Sequence, residues 1–330
     1  MLEIFARFRR SHEFWLTIVI LAICVLLTVA TDSFFTLRNL FDLLTSNAFV
    51  GILCAGLIVV LVAGGIDISF TATATITQYV ALTVANEYGA NWFTLFAMAC
   101  ALGVVCGAIN AFFIVKFKIH SIIVSIATLN IFYGLLMYVT SGKYIYSLPE
   151  FFTTGINWFE FEYDDIRYAI NLQMLLLVVC FALTWFLLNR TNIGRQIYAM
   201  GGNPDAAQRL GFSTFRLNMF VYCYMGFIAG IASLAQAQFA QSVAPTILVG
   251  KELDVLAAVV LGGASLNGGV GTVLGAFLGL TLLALLQNGL VLMGVSSYYT
   301  PFVTGAVILI SVSATAMEAA RQQRLKRART

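Results

Sequence analysis

The chain carries few side chains that could do catalytic chemistry. Its two histidines, His12 and His120, have no nucleophile or metal-ligand spacing around them, so we interpret both as residues at helix ends near the membrane interface. Gly142–Lys143 and Gly250–Lys251 lack the preceding glycine spacing and the following hydroxyl of a phosphate-binding loop. The sequence therefore predicts no catalytic residues, no metal site, no cofactor bound by this chain and no ATP hydrolysis by this chain alone.

Ionisable residues are almost absent from the apolar segments. Asp67 is the one carboxylate among them, and there is no series of carboxylates or histidines for a proton relay. A proton- or ion-driven carrier usually places several such groups in its membrane core. This pattern argues against a proton- or ion-driven carrier, but it leaves open a passive facilitator for an uncharged solute.

Two apolar runs are interrupted by glycine pairs. The first interruption contains Gly64, Gly65, Asp67 and Ser69, and the second contains Gly262 and Gly263. Glycine-interrupted hydrophobic segments in the two halves of a transporter are typical of a substrate pathway. The alternative is that both are tight turns between helices, with Asp67 or Ser69 binding the amides at the start of the next helix.

The stretch 194–213 contains the start and stop signals of a short helix. Asn203 is a typical N-cap, Pro204 suits the first turn, Asp205 complements the helix dipole, and Gly211 is a suitable stop. We predict that Ala206, Ala207 and Leu210 share one side of this helix. Such a helix can dock in a groove of a cytoplasmic partner, or it can be an ordinary loop helix on the membrane surface.

The elements that position these residues are membrane helices. Sixty per cent of the residues are apolar and ten per cent are charged, which is too few charges for a soluble surface. The apolar runs are long enough to cross a bilayer and are apolar on every side, which favours helices over barrel strands. We predict an all-α polytopic membrane protein with about ten spans, at Phe14–Ala30, Leu43–Val62, Ile68–Ala85, Trp92–Val115, Ile119–Thr140, Leu172–Leu188, Phe215–Phe239, Leu253–Leu261, Gly271–Met293 and Tyr298–Ala316. In the ninth, Gly271, Gly275 and Gly279 form a small-residue face for close helix packing.

The basic residues predict the topology. With ten spans, fourteen of the eighteen lie on one side of the membrane, and Arg38, Lys143, Arg167 and Lys251 lie on the other. Positively charged loops stay in the cytoplasm, so both termini are predicted to be cytoplasmic. The prediction is a single transmembrane domain, 1–330, with a cytoplasmic N-terminus (1–13), an outer loop (about 141–171), a cytoplasmic segment (about 190–214) and a basic cytoplasmic tail (317–330).

The outer loop Ser141–Asn171 is the longest predicted connection. It carries five acidic residues, together with Trp158, Phe159 and Phe161, which suit the membrane interface. A loop of this length in a compact protein is often functional. It is either a surface that meets a substrate-delivering partner or a solvated cap on the helices.

Three sequence blocks resemble those of one family, the permease subunits of ribose/xylose-type sugar ABC importers. Residues 64–69 (GGIDIS) look like the family's GGIDLS motif, and residues 201–207 (GGNPDAA) look like the core of its cytoplasmic coupling segment. Residues 252–265 (ELDVLAAVVLGGAS), continuing through 267–271 (NGGVG), look like a third block. The resemblance spans almost the entire chain and implies a type II-like ABC importer permease in the bacterial inner membrane.

The resemblance implies more than the residues establish. It implies a partner ATPase that holds ATP and Mg²⁺, a second permease copy or paralogue, a periplasmic sugar-binding protein, surrounding lipid and no nucleic acid. It assigns ATPase coupling to Gly201, Gly202, Asn203, Pro204, Asp205, Ala206, Ala207, Leu210 and Gly211. In one departure, 70–75 (FTATAT) stands where relatives commonly have Val-Gly-Ser after the serine, which leaves open altered packing or an altered substrate. The sequence does not identify the sugar.

Overall fold

The computed structural model describes residues 12–163, 166–307, 309, 310 and 313. These residues form helices joined by short connections and one small β-hairpin. The helices are α1 His12–Ala30, α2 Leu37–Ser46, α3 Ala48–Val62, α4 Phe70–Tyr88, α5 Trp92–Phe117, α6 Ser121–Thr140, α7 Glu150–Thr154, α8 Leu172–Arg190, α9 Asn192–Gly202, α10 Pro204–Arg209, α11 Thr214–Ala240, α12 Lys251–Leu261 and α13 Val273–Leu292. A 3₁₀ turn, Ser297–Tyr299, precedes a last helix, α14, described over 300–307.

Six of these helices are long and apolar enough to cross a membrane. They are α1, α5, α6, α8, α11 and α13, and α2 with α3 would make a seventh span if the bent pair is counted as one. The polytopic helical class is therefore confirmed, but the described residues do not support the predicted count of ten. The predicted span Leu253–Leu261 is part of an eleven-residue helix, and the predicted span Tyr298–Ala316 lies partly outside the described residues, as do 1–11 and 317–330.

Helix α3 is the centre of the core. Fourteen of its fifteen residues are buried, because it is apolar on every side and α8, α11, α12 and α13 surround it. The predicted span Leu43–Val62 is wrong as one continuous helix. The chain bends by 50° where α2 meets α3 at Asn47, whose side-chain amide donates to the carbonyl of Leu43 at 2.9 Å.

Glycines bring α5 and α11 into direct backbone contact. A Cβ on Gly103 would overlap the carbonyl oxygen of Gly226, and a Cβ on Gly226 would overlap that of Gly103. Gly107 meets the carbonyl of Tyr222, and Gly230 meets that of Ala99, in the same way. Small residues of this spacing let two membrane helices approach until their backbones touch.

We expect Gly226→Ala to destabilise the protein, because the new methyl group has no space between α5 and α11. Overpacking of this kind typically costs about 1–3 kcal/mol, and the melting temperature in detergent should fall by several degrees. Gly134→Ala on α6 is the matched control, since a Cβ there meets nothing within 4 Å. Thermal unfolding followed by size-exclusion chromatography compares the two variants, and equal melting temperatures would contradict the predicted contact.

The turn between α12 and α13 is equally tight. A Cβ on Gly275 would overlap the carbonyl of Gly262, and a Cβ on Gly279 would overlap that of Ala258. The predicted small-residue face is therefore confirmed for Gly275 and Gly279. Gly271 precedes the helix, and its φ of +152° belongs to the turn instead.

The predicted outer loop contains regular structure. It holds α7 and an antiparallel hairpin of β1 (Asn157–Tyr163) and β2 (Ile166–Asn171). The register shifts between Trp158 and Phe161, and Phe159 there has a φ of +54°. Phe161 stacks on Tyr168 across the hairpin, and both rings contact Phe41 of α2.

Candidate coupling and pathway site

The segment between α8 and α11 folds as two short capped helices. The side-chain oxygen of Asn203 accepts from the amide of Ala206 at 3.0 Å, and Pro204 opens α10, as the sequence predicts. Gly211 has a φ of +84°, and the next residue, Phe212, donates its amide to the carbonyl of Ala207 at 3.1 Å. Such a left-handed glycine stop ends a helix and satisfies its last carbonyl groups.

The apolar side chains of α10 do not share one side, contrary to the prediction. Ala207 is buried, whereas Ala206 is exposed and Leu210 is 70% exposed. The buried alanine packs α10 against its own chain. Leu210 and the open backbone at Gly202 therefore remain available at the surface, since a Cβ on Gly202 would meet nothing within 4 Å.

The three sequence blocks meet at one point, which we call the glycine junction (Gly64, Gly201, Gly268 and Gly269). A Cβ on Gly201 would overlap the carbonyl oxygen of Val62 at the end of α3. The amide of Gly269 donates to that same carbonyl at 2.9 Å. A Cβ on Gly268 would lie 2.6 Å from Cα of Gly64. The end of α9 thus lies directly on the end of α3 and on the α12–α13 turn, with no side chain between them.

A tyrosine makes a second link from α9 to the turn before α13. The hydroxyl of Tyr198 donates to the carbonyl of Gly271 at 2.7 Å. Burial raises the pKa of Tyr198, which keeps the hydroxyl protonated so that it can donate. Displacement of α9 therefore has two paths into the α12–α13 turn, one through the glycine junction and one through this bond.

Asp67 organises the chain between α3 and α4. One of its carboxylate oxygens accepts from both the amide and the hydroxyl of Ser69, at 2.8 and 2.7 Å. Asn110 of α5 donates to the same hydroxyl at 2.6 Å, and Ser121 of α6 accepts from the amide of Ile66 at 3.0 Å. The turn interpretation of Asp67 is supported, but Ser69 makes no side-chain cap bond at the start of α4.

We expect Asp67→Ala to destabilise the protein more than Asp67→Asn. Alanine removes the acceptor of two buried donors, and an unsatisfied buried group typically costs about 1–3 kcal/mol. Asparagine keeps an oxygen in the same place, and the described residues show no ion pair to Asp67 that it would break. Melting temperatures of the two purified variants test this, and a lower value for Asp67→Asn than for Asp67→Ala would refute it.

The second interruption contacts the start of α1. Gly263 has a φ of +89°, and its missing side chain leaves room for the ring of His12. A ring nitrogen of His12 lies 2.8 Å from the carbonyl oxygen of Leu261, and Glu13 accepts from Thr272 at 2.9 Å. His12 is thus a packing residue between α1 and the α12–α13 turn.

Two residues of the site, Tyr222 and Asn110, were not predicted from the sequence. The hydroxyl of Tyr222 lies against Gly65, and Asn110 joins the Asp67 cluster. A polar residue inside an apolar span is a signal that could have found Asn110, whereas nothing local marks Tyr222. Among the described residues, no group of three or more His, Cys, Asp or Glu side chains could hold a metal ion.

The threonines that follow Ser69 are buried on two faces of α4. Thr75 and Thr77 donate to the carbonyls of Thr71 and Thr73, each at 2.7 Å, one turn earlier in the helix. The hydroxyl of Thr71 donates to Glu252 of α12 at 3.2 Å. Threonine at the position of the missing glycine therefore provides a polar contact between α4 and α12.

The comparisons with known proteins agree with this geometry. Residues 39–312 match the family model described as the permease component of the branched-chain amino acid transport system. The ribose import permease protein RbsC of Escherichia coli K12 is 32% identical over 89% of this chain and 91% of its own length. That of Bacillus subtilis 168 is 33% identical over 87% and 88%. The autoinducer 2 import system permease protein LsrC of Klebsiella pneumoniae is 32% identical over 91% and 85%.

No solved structure matches the chain significantly. The family model covers most of the sequence, including all three blocks that meet at the glycine junction. The relatives cover nearly the whole chain and are themselves covered over most of their length. The chain belongs to the family of ABC importer permeases that includes the ribose and autoinducer-2 import permeases.

Proposed function

We propose that this chain is the inner-membrane permease of an ATP-driven importer for a simple sugar or a sugar-like molecule, with both termini in the cytoplasm. A separate ATPase binds ATP and Mg²⁺, a second permease copy or paralogue completes the pathway, and a periplasmic binding protein delivers the solute. The names of the relatives support this class of cargo: ribose for one group and autoinducer 2 for the other.

The observation that carries the proposal is the direct contact of α9, within the proposed coupling segment, with the end of α3 and with the α12–α13 turn. In the glycine junction, Gly201 touches the end of α3, and Gly268 and Gly269 precede α13. A push on α10 from an ATPase therefore moves α9 against the ends of two membrane elements without a flexible side chain in between. Discrete rearrangement of packed elements is how such a displacement is transmitted, and it would open the pathway alternately to each side.

Reconstitution tests the proposed function. The chain, its ATPase and its binding protein are placed in proteoliposomes, and uptake of radiolabelled D-ribose is measured with and without ATP. We expect accumulation against a gradient that requires ATP and both partners, with D-xylose and D-glucose as the alternative cargoes. Equal equilibration by the chain alone, without ATP, would instead identify a passive facilitator.

A further inference from the structure

A small polar cavity lies beside the break between α2 and α3, away from the glycine junction. Its volume is about 270 Å³. Four elements contribute its polar lining: the α2–α3 break, α11, the first turn of α12, and α13. The polar residues are Ser46, Asn47, Gln236, Lys251, Asp254, Gln287 and Asn288.

The cavity lies near the end of α11 and the end of α13. Gln236 precedes the end of α11 by four residues and Gln287 precedes the end of α13 by five, which at 1.5 Å per residue places both about 6–8 Å inside the helix ends. The pairing of Gly262 with Gly275 and of Ala258 with Gly279 aligns the start of α12 with the same level of α13. Gln236 and Gln287 belong to two of the helices that are long and apolar enough to span a membrane, and polar side chains in such helices are often functional.

The lining is charged but balanced. The ammonium group of Lys251 lies 3.1 Å from a carboxylate oxygen of Asp254, so the pair presents a donor and an acceptor with no net charge. Neither Gln236 nor Gln287 has a side-chain hydrogen bond to any residue that the structure describes. Each amide can both donate and accept. The cavity therefore offers several unused donors and acceptors to a neutral ligand that has both.

We propose that this cavity binds one neutral polyhydroxylated molecule of monosaccharide size on its way through the permease. Each hydroxyl of such a molecule donates and accepts, matching the amides and the Lys251–Asp254 pair. The volume is slightly below the roughly 300–1,000 Å³ of drug-sized ligand pockets, which excludes oligosaccharides. A half-helix start beside a broken helix is also where transporters commonly place their solute sites.

A wider cavity on the predicted outer side adjoins this site. It has a volume of about 710 Å³ and shares Ser46 and Asn288 with the smaller cavity. Its outer wall includes Arg38 of α2 together with Arg167 and Tyr168 of the hairpin. The wider cavity therefore extends from the hairpin to residues that also border the smaller one.

The site is connected to the coupling machinery through α12. Lys251 and Asp254 begin this helix, and the turn after its other end carries Gly268 and Gly269 of the glycine junction. Movement at the junction therefore reaches the cavity wall through a single eleven-residue helix. The inference rests on the proposed function for the class of ligand, while the cavity and its lining stand independently.

Equilibrium binding of tritiated D-ribose tests the site. The chain is assembled with its ATPase in lipid nanodiscs without the binding protein, and binding is measured by scintillation proximity, with D-xylose and D-glucose as competitors. The double variant Gln236→Leu/Gln287→Leu keeps the side-chain size but deletes both amides. We expect saturable binding by the unmodified chain and a Kd raised about tenfold in the double variant, as for two lost hydrogen bonds.

Thr281→Val on α13 is the matched control, because Thr281 lines a separate apolar groove and donates to the carbonyl of Phe277. Its Kd should stay within about twofold of the unmodified chain, since it contributes nothing to the polar cavity. If the double variant does not fold, each single variant is measured, with a Kd raised about threefold. Equal Kd values for the unmodified chain and the cavity variants, or no saturable binding of any of the three sugars, would overturn the site. Import in intact cells separates the two proposals, because ATP-dependent uptake without such binding leaves the importer assignment standing.

Discussion

Leu210→Asp should reduce ATP-driven uptake by about 30-fold or more while leaving the amount of folded protein in the membrane unchanged. Leu210 follows α10 and is 70% exposed, so a charged side chain there meets no packed neighbour. Burial of the new carboxylate in a partner's groove would be strongly unfavourable. Loss of a central interface contact commonly costs about 2 kcal/mol or more, and each 1.4 kcal/mol is a factor of ten.

Two measurements keep this prediction specific to the contact with the ATPase. Leu210→Met preserves the apolar surface and should retain at least about half of the uptake, since volume-conserving apolar exchanges are well tolerated. The ATPase should co-purify with the Leu210→Met variant and be lost, or bound much more weakly, with Leu210→Asp. Normal uptake by the Leu210→Asp variant would mean that α10 does not carry the coupling contact.

The local parts of the site could be predicted from the sequence because their causes are local. The Asn203 cap, the Pro204 start and the Gly211 stop each depend on residues within one helical turn. The glycine junction could not be predicted in this way. Gly64, Gly201 and Gly268 are separated along the chain by whole helices, and their contact exists only after α3, α9 and the α12–α13 turn have packed.

The bend between α2 and α3 was also not predicted from the sequence. Leu43–Val62 is apolar apart from Thr45, Ser46 and Asn47, and it was predicted as one span. The Asn47 side chain bonds back to α2, and the chain bends there. Helix α4 differs from the apolar spans. It is buried inside the protein yet carries several threonines, so burial in the bundle rather than contact with lipid determines its composition.

The neighbouring glycines of the coupling segment differ in what surrounds them, which provides a sharp test of the glycine junction. We expect Gly201→Ala to lower uptake at least tenfold and to lower the melting temperature of the complex by several degrees. A Cβ on Gly201 would overlap the carbonyl of Val62 and lie 2.8 Å from the amide of Gly269, so it would break their 2.9 Å hydrogen bond. Backbone atoms cannot move aside as a flexible side chain can, and overpacking of this kind typically costs about 1–3 kcal/mol.

Gly202→Ala is the matched control, one residue further along the same helix. Gly202 is the last residue of α9, and a Cβ added there meets nothing within 4 Å. Uptake and melting temperature of the variant should therefore remain close to those of the unmodified chain. The comparison separates two possible roles of the glycine pair, contact with the ATPase and packing within the chain. If both substitutions abolished uptake equally without changing the melting temperature, the pair would be needed for contact with the ATPase rather than for packing. If Gly201→Ala alone lowers both uptake and melting temperature, the direct backbone contact transmits movement from α9 to α3 and α13.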